Sequence, residues 1–278
     1  MLVSKARLAD GPLMTPGAID AFRDHAIRAY PNECVGYIDH GGIYHPMANA
    51  ADDPRRHAIP DPRLLAALIQ NGAIRALCHS HPGGPDCPSQ GDMISQQELE
   101  IPFAIVATNG TATSEPFAWG DSLIDDRILI GRAFRHGVDD CYGMIRAWWR
   151  QERGVILPDF PREWEWWDRD DRQGVERDLY RRHFADAGFY EIDAIDAAEG
   201  DVWLASIRSP VPNHAGIYLG RGLALHHAAF QQAFDPSRLS RRDPIARWTP
   251  YVTHWLRRDI AANDPSSWPS GPTVRQAP

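Results

Sequence analysis

The segment 79–92 holds residue types at a spacing that suits a divalent metal. His79 and His81 stand two positions apart on a predicted strand, so both imidazoles should project from one face. Asp92 follows after a loop rich in Gly and Pro that can fold its carboxylate back toward them. Two imidazoles and one carboxylate, with a fourth position open for water, are typical of a catalytic zinc site. The sequence therefore predicts Zn²⁺ bound by His79, His81 and Asp92.

Two further polar residues are candidates for catalysis at that metal. Glu33 opens an apolar strand at a position where core packing would favour an apolar residue, so we predict that it is the proton acceptor. Ser89 lies three residues before Asp92 and is predicted to hydrogen-bond the water or the oxyanion of the tetrahedral intermediate.

A second set of residues suits nucleophilic catalysis. Cys141 lies where a charged loop becomes an amphipathic helix, so unpaired backbone N–H groups of the first turn should surround its sulfur and favour the thiolate. The cationic partner would be His214, which precedes a predicted strand and should lie at the sheet edge that faces the helix start.

A third polar group would orient His214, and two histidines on the next strand compete for that place. His226 shares the face of His214 if the connection 220–222 is a three-residue turn, whereas a two-residue turn selects His227. The sequence leaves this choice open.

The elements that must position these residues fall into two halves. The first half predicts helices at 15–31 and 61–72 and short buried strands at 33–38, 73–81 and 103–108, which together indicate a mixed sheet covered by helices. The second half predicts helices at 140–153 and 175–187 and then strands at 201–207, 215–220 and 223–230, which indicate an α+β arrangement.

Domain boundaries follow from this division. We predict a first domain at 1–118, a linker at 119–130, a second domain at 131–260 and a disordered tail at 261–278 that is rich in Pro and Ser. A length of 278 residues is ample for two cores.

Charge and composition exclude several classes of protein. The net charge of −8 argues against a nucleic-acid partner, because nucleic-acid binders usually carry a clustered basic face. The first twenty residues contain no continuous apolar run, so we expect neither a signal peptide nor a membrane span, and synthesis in the cytoplasm. Four cysteines without CxxC spacing indicate free thiols.

Residues 10–115 resemble the MPN (JAMM) metalloprotease family, whose pattern is a distant Glu, then His-Ser/Thr-His-Pro, then Ser-x-x-Asp. Glu33, Ser89, the ligand residues and the segment His79-Ser80-His81-Pro82 all match this pattern. The resemblance implies zinc-dependent hydrolysis of a peptide or isopeptide bond, with Glu33 shuttling the proton.

The segments DCYGMIR, EGDVWLAS, NHAGIYLG and LALHH together resemble the NlpC/p60 family of papain-like cell-wall peptidases. The resemblance maps a Cys-His-His set onto Cys141, His214 and His226. It implies that Cys141 attacks the carbonyl, that His214 relays the proton and that His226 orients His214. An aromatic insertion, WEWWDRDDRQ, lengthens the interval between Cys141 and His214.

The order of the two regions resembles the tail assembly protein K family of lambda-like tailed bacteriophages. Apart from the predicted tail, the whole chain shares this resemblance. It implies a component of the virion tail tip, or of a prophage, that contacts other tail-tip proteins and cleaves peptidoglycan stem peptides beside a D-amino acid. Two alternatives remain: a structural assembly protein with inactive sites, and a deconjugating peptidase for a ubiquitin-like protein.

Overall fold

The chain divides into two compact units, Met1–Asp125 and Asp126–Pro278, and each has its own sheet and its own buried core. The computed structural model describes residues 7–8, 11–120, 123, 128–168, 178–227 and 239–259. A mixed sheet in the first unit and an antiparallel sheet in the second, each with few helices, confirm the predicted α+β class.

The first unit begins with a short hairpin and then alternates helices with strands. Thr15 caps the first helix by accepting from the Ala18 N–H, and Pro16 occupies its first turn. In chain order the elements are β1 Arg7–Leu8, β2 Gly11–Pro12, α1 Pro16–Ala29, β3 Val35–Ile38, β4 Tyr44–Met47, α2 Pro62–Gln70, β5 Ala76–Pro82, α3 Gln90–Leu99, β6 Phe103–Thr108 and β7 Phe117–Trp119.

The main sheet of this unit has five strands in the order β4-β3-β5-β6-β7. Only the β5–β6 pair is parallel, and α3 lies in the crossover between these two strands. As a result, His79, Ser80 and His81 lie at the carboxyl end of β5, where the chain leaves the sheet toward α3.

Helix α1 covers one face of that sheet. Its Phe22 and Ala26 are fully buried against the alternate residues of β3, β5 and β6 that face them. Burying a side chain the size of Phe stabilises a fold by about 1.5–3 kcal/mol. The other face of β5 is thereby left for the two histidines.

The second unit packs one long helix on an antiparallel sheet. Its elements are α4 Cys141–Arg153, α5 Leu179–His183, β8 Tyr190–Ile192, β9 Val202–Ala205, β10 His214–Tyr218, β11 Leu223–His226, β12 Arg241–Pro244 and β13 Val252–Arg257. The strand order is β12-β11-β10-β9-β13-β8. Met144, Ile145 and Trp148 of α4 share a buried cluster with residues of β9 and β10, and Gly154 ends the helix in the left-handed conformation.

Some predicted elements are shorter in the structure or lie outside its described residues. The helix expected at 175–187 is the single short helix α5, and its predicted start lies among residues that the structure does not describe. The strand expected at 223–230 is described as Leu223–His226, and residues 228–230 lie outside the described residues. The predicted tail at 261–278 lies outside the described residues. In the part of the chain that is described, none of the helices is long and apolar enough to cross a membrane.

Candidate active sites

The three predicted metal ligands of the first unit converge on one point. The two imidazole Nε2 atoms of His79 and His81 lie 3.1 Å apart. Asp92 Oδ1 lies 3.2 Å from His79 Nε2, and Asp92 Oδ2 lies 3.3 Å from His81 Nε2. Among the described residues this is the group of His, Cys and carboxylate side chains arranged to hold a metal ion.

These separations fit a tetrahedral zinc ion. Bonds of about 2.0–2.1 Å at tetrahedral angles place neighbouring donor atoms about 3.3–3.4 Å apart. The imidazole separation of 3.1 Å needs only a small adjustment. Asp92 meets His79 through Oδ1 and His81 through Oδ2, so its carboxylate must turn to present one oxygen to the ion. Two imidazoles and one carboxylate are also a donor set that zinc accepts readily.

Neighbouring groups hold two of the three ligands in orientation. His81 Nδ1 lies 2.9 Å from the carbonyl oxygen of Pro85, so Nδ1–H donates there and Nε2 is left for a metal. Ser89 and Asp92 form a reciprocal cap at the start of α3, in which the Ser89 hydroxyl donates to Asp92 Oδ2 at 2.7 Å. Ser89 thus orients the Asp92 carboxylate, while its predicted contact with an oxyanion remains a prediction.

The charges of the three ligands stabilise one another. Burial opposes ionisation of Asp92, but the facing imidazoles outweigh this effect and hold the pKa of its carboxyl far below the usual range. Burial also disfavours the charged form of His81, yet the hydrogen bond and charge of Asp92 raise the net pKa of that imidazole. The Asp92 carboxylate is therefore ionised, and its negative charge faces the two imidazoles.

Glu33 stands just before β3, with its backbone fixed from two sides. Its N–H donates to the Pro54 carbonyl, and its own carbonyl accepts from Asn49 Nδ2 at 3.0 Å. Burial raises the pKa of the Glu33 carboxyl, and His79 and His81 lie near enough for their charges to lower it in part. Asn49 was not predicted from the sequence, because a lone Asn between two strands carries no motif.

The serine between the two histidines supports the structure of the site. Ser80 is fully buried, and its hydroxyl accepts from the Cys34 N–H at 2.8 Å. Since Cys34 directly follows Glu33, this bond ties the base candidate to the strand that carries the ligands.

In the second unit, Cys141 is the first residue of α4 and follows a buried ion pair. Asp140 caps the helix by accepting from the Gly143 N–H at 2.8 Å. Arg162 binds the same carboxylate in a bidentate manner. Its Nε lies 2.8 Å from Asp140 Oδ2, and its Nη2 lies 2.9 Å from Asp140 Oδ1. Both residues are buried, so the position of Cys141 depends on a fully paired charge cluster.

Gly143 is required by close packing at this helix start. A Cβ atom at Gly143 would overlap the carbonyl oxygen of Val138 in the preceding turn. Glycine therefore allows that turn to lie directly against the first turn of α4.

His214 and His226 form a direct pair on neighbouring strands. His214 Nε2 lies 3.1 Å from His226 Nδ1. The β10–β11 hairpin pairs Gly216 with His226, and the Leu219 N–H donates to the Leu223 carbonyl, so the connection is the three-residue turn 220–222. That register places His226 on the face of His214, whereas the His227 ring packs against Phe134.

The hydrogen-bond chain continues to a residue that the sequence did not indicate. His226 Nε2 lies 3.0 Å from Asp243 Oδ2, on the adjacent strand β12. Trp203 and Trp248 pack around both histidines and exclude water from the pair. Asp243 was missed because its role depends on the β11–β12 pairing and not on a local motif.

The protonation states differ from the expectation of a favoured thiolate, which was wrong. Burial, reinforced by the charge of Asp140, raises the pKa of the Cys141 thiol to about 11. Burial likewise lowers the pKa of His214 well below its ordinary value and that of His226 to about 4. The helix N-terminus was correctly located, but desolvation of the sulfur has the larger effect.

Cys141 and His214 line one cavity of about 220 Å³. The backbone N–H of Ala215, the residue after His214, donates to the Cys141 sulfur. The Tyr180 hydroxyl lies 3.1 Å from the same sulfur. The described part of the aromatic insertion contributes to this cavity with Trp164, Trp166 and Trp167.

The cavity is largely aromatic. Besides the three tryptophans of the insertion, its wall includes Phe134, Phe160, Tyr180, Phe184 and Trp248. A group that binds in this cavity moves from water to an apolar surface next to Cys141.

Two family models match the chain in the order that the sequence predicted. The model of prokaryotic homologs of the JAB domain matches residues 15–120, and the NlpC/P60 family model matches residues 114–251. Each match includes the residues of one of the two sites.

Three relatives show how far the similarity extends. The chain is 37% identical to the tail tip assembly protein K of Escherichia phage lambda over 194 residues, which are 70% of this chain and 82% of that protein. It is 28% identical to the tail tip assembly protein K of Escherichia phage N15 over 252 residues, covering 89% and 93% of the two chains. Over 102 residues it is 31% identical to a probable TtuB-protein conjugate cleaving protease of Thermus thermophilus, covering 34% and 68%.

Proposed function

Because the chain belongs to the family of tail tip assembly protein K, with a JAB domain followed by an NlpC/P60 domain, we propose that it is a phage or prophage tail-tip peptidase. In this proposal the second unit is a cysteine endopeptidase that cleaves stem peptides of peptidoglycan beside a D-amino acid. The first unit is a zinc-dependent peptidase or isopeptidase. Other tail-tip proteins are its partners in assembly, and the virion tail tip is its location.

The observation that carries the proposal is the shared cavity of Cys141 and His214, with His226 bonded behind His214. Nε2 of His214 contacts His226, so Nδ1 is the nitrogen left to accept a proton. Cys141 Sγ attacks the carbonyl carbon as its proton passes to His214 Nδ1. The same proton then goes to the leaving amine, and water releases the acyl group from sulfur.

A neutral thiol and a neutral imidazole suit this sequence of steps. The raised pKa of Cys141 and the lowered pKa of His214 both disfavour a preformed ion pair. Proton transfer is therefore coupled to attack on a bound substrate. Backbone N–H groups at the start of α4 are the donors available to the oxyanion.

In the first unit, His79, His81 and Asp92 would hold the metal. When bound there, Zn²⁺ supplies Lewis acidity and lowers the pKa of water to about 7. The Glu33 carboxylate takes a proton from water and returns it to the leaving amine. Ser89 keeps the Asp92 carboxylate turned toward the two imidazoles.

The test is mass spectrometry of purified peptidoglycan digested by the full chain. We compare the wild-type protein with Cys141→Ala and His79→Ala, each with and without a chelator, and use His40→Ala as an exposed-histidine control. Stem-peptide fragments that disappear only in Cys141→Ala would support a cell-wall peptidase in the second unit. A wild-type protein that retains zinc and releases nothing would overturn the muralytic proposal and favour a structural assembly role.

One specific observation favours a second candidate function for the first unit. Its similarity to the Thermus protein, whose name describes cleavage of a protein conjugate, supports a deconjugating isopeptidase. An isopeptide-linked conjugate of a ubiquitin-like protein is the matching substrate. Cleavage that needs Glu33 and is lost on chelation would support this candidate, and cleavage by Glu33→Gln at the wild-type rate would exclude it.

A further inference from the structure

The second site contains one more residue than a Cys-His-His set. His214, His226 and Asp243 form a continuous line of hydrogen bonds, with N–N and N–O separations of 3.1 and 3.0 Å. All three side chains are buried, and they come from three adjacent strands of one sheet. A buried carboxylate at the end of such a line determines which nitrogen of each ring carries the proton.

Asp243 can only accept hydrogen bonds from its neighbours. Arg241 Nε lies 2.9 Å from Asp243 Oδ2, and Arg247 Nη1 lies 3.8 Å from Asp243 Oδ1. Burial opposes ionisation of Asp243, but the hydrogen bonds from His226 and Arg241 prevail, so the pKa of the carboxyl stays below its ordinary value. At neutral pH, therefore, the hydrogen between Asp243 and His226 belongs to His226 Nε2.

That assignment determines the tautomer of His226 and then that of His214. A neutral His226 with its proton on Nε2 has a bare Nδ1, which must accept. The group facing Nδ1 is His214 Nε2, so this nitrogen carries the proton of His214. Nδ1 of His214 is then left with a free lone pair, on a ring that lines the same cavity as Cys141.

We propose that Asp243 is a positioning residue of the second site, which sets the tautomer of His226 and, through it, makes His214 Nδ1 the base for Cys141. The kinetic part of this inference rests on the proposed peptidase function, whereas the tautomer part stands on the hydrogen bonds alone.

Asp243 also acts on the charge that develops during reaction. When the S–H bond of Cys141 breaks and the proton binds His214 Nδ1, the ring becomes a cation. His226 and Asp243 lie behind it as a dipole and an anion, which stabilise that cation within the apolar packing of Trp203 and Trp248. The opposing charges that face the line are Arg241 and Arg247, and His227 is the neighbouring titratable group.

The first experiment reads the tautomers without any substrate. Long-range ¹H–¹⁵N spectra of the histidine rings in the full chain distinguish a protonated Nδ1 from a protonated Nε2. We expect Nε2–H on both His214 and His226 in the wild-type protein. In Asp243→Asn the new amide donates to His226 Nε2, so both rings should switch to Nδ1–H. Unchanged tautomers in Asp243→Asn would overturn the proposal.

The second experiment reads the reaction on peptidoglycan. We expect kcat to fall by about 100-fold or more in Asp243→Asn, by about 10-fold in Asp243→Ala, and KM to stay within about twofold. Asp243→Glu should retain the wild-type tautomers and recover most of the activity. The exposed Asp193→Asn is the charge-matched control.

The outcomes separate the two proposals. If the wild-type protein releases no fragments, the peptidase function fails while the ring spectra still decide the role of Asp243. If Asp243→Asn does not fold, the spectra of Asp243→Ala decide, because loss of the carboxylate must remove the preference for Nε2–H on His226. Equal kcat in Asp243→Asn and the wild-type protein would also refute the role of Asp243.

Discussion

The two sites differ in how far apart their residues lie along the chain. In the first unit the three ligands come from 14 consecutive residues, 79–92, and lie at the end of one strand and the start of the next helix. In the second unit the site draws on Cys141, His214, His226 and Asp243, which span more than a hundred residues. The first site therefore depends on local chain geometry, and the second depends on the register of three strands.

The sites also differ in their electrostatics. The first site gathers a carboxylate and two imidazoles that could hold a cation. The second site keeps its thiol and imidazoles neutral by burial. In the proposed functions the first site depends on a metal and the second on a proton relay, so the two sites should respond to different perturbations, and this difference can be tested.

The largest expected effect is the independence of the two chemistries. Asp92→Asn should remove bound zinc and lower the isopeptidase activity by more than about a thousandfold, while peptidoglycan cleavage stays unchanged. Cys141→Ser should do the reverse. Metal analysis and the two activity assays on the same preparations measure this, and loss of both activities in either variant would show that the sites depend on each other.

The next effect concerns the buried charge pair that supports Cys141. Arg162→Met leaves the buried Asp140 without the arginine that pairs with it. The free energy of unfolding of the second unit should therefore fall by about 3–5 kcal/mol. Tryptophan fluorescence during denaturation reports this unit, because the first unit contains only Trp119.

The matched control for that variant is Arg181→Met, since Arg181 pairs with Asp178 at the surface at 3.6 Å. An exposed pair contributes about 1 kcal/mol or less. If both variants lower the free energy of unfolding by similar amounts, burial does not make the Arg162–Asp140 pair more important for stability than the exposed pair.

The neutral state of Cys141 predicts how alkylation depends on pH. With the pKa of the thiol near 11, the alkylation rate at pH 7 should be about 300-fold lower than that of an ordinary thiol. The rate should rise about tenfold per pH unit up to pH 9.5, because the thiolate fraction rises in proportion. Mass spectrometry of the modified Cys141 peptide follows this rate, and a plateau below pH 8 would indicate a preformed thiolate.

The smallest expected effect tests the support of Glu33. Asn49 donates to the carbonyls of Glu33 and His57 and accepts from two backbone N–H groups, so Asn49→Ala should loosen the backbone that carries the base. We expect about a tenfold loss of zinc-dependent activity with unchanged metal content. Asn71→Ala, at the exposed end of α2, is the control. A loss of zinc in Asn49→Ala would contradict this separation of roles.

The sequence was sufficient for those parts of the molecule whose signals are local. The caps and apolar spacing of α1 and α4, and the strand at Phe103–Thr108, are found close to where they were predicted. His79, His81 and Asp92 meet because a strand and a capped helix bring them together over a short loop.

The parts that sequence reasoning missed depend on contacts between distant segments. Asp243 contributes through strand pairing, and Asn49 contributes through four hydrogen bonds in a loop, neither of which has a motif. The predicted direction of the Cys141 pKa shift was wrong because the sulfur is buried by distant segments, including the one that carries Tyr180. These segments meet only in the folded protein.

Three tryptophans of the aromatic cavity wall, Trp164, Trp166 and Trp167, come from one short stretch, residues 164–168, which contributes no strand to the sheet. His214 and His226 lie on strands that this stretch does not help to build. Residues 164–168 do not include Arg162, the partner of Asp140, so their exchange would change part of the cavity wall while His214 and His226 keep their hydrogen bonds. Such a segment can serve as an interchangeable cassette, through which the shape of the cavity changes without redesign of the chemistry.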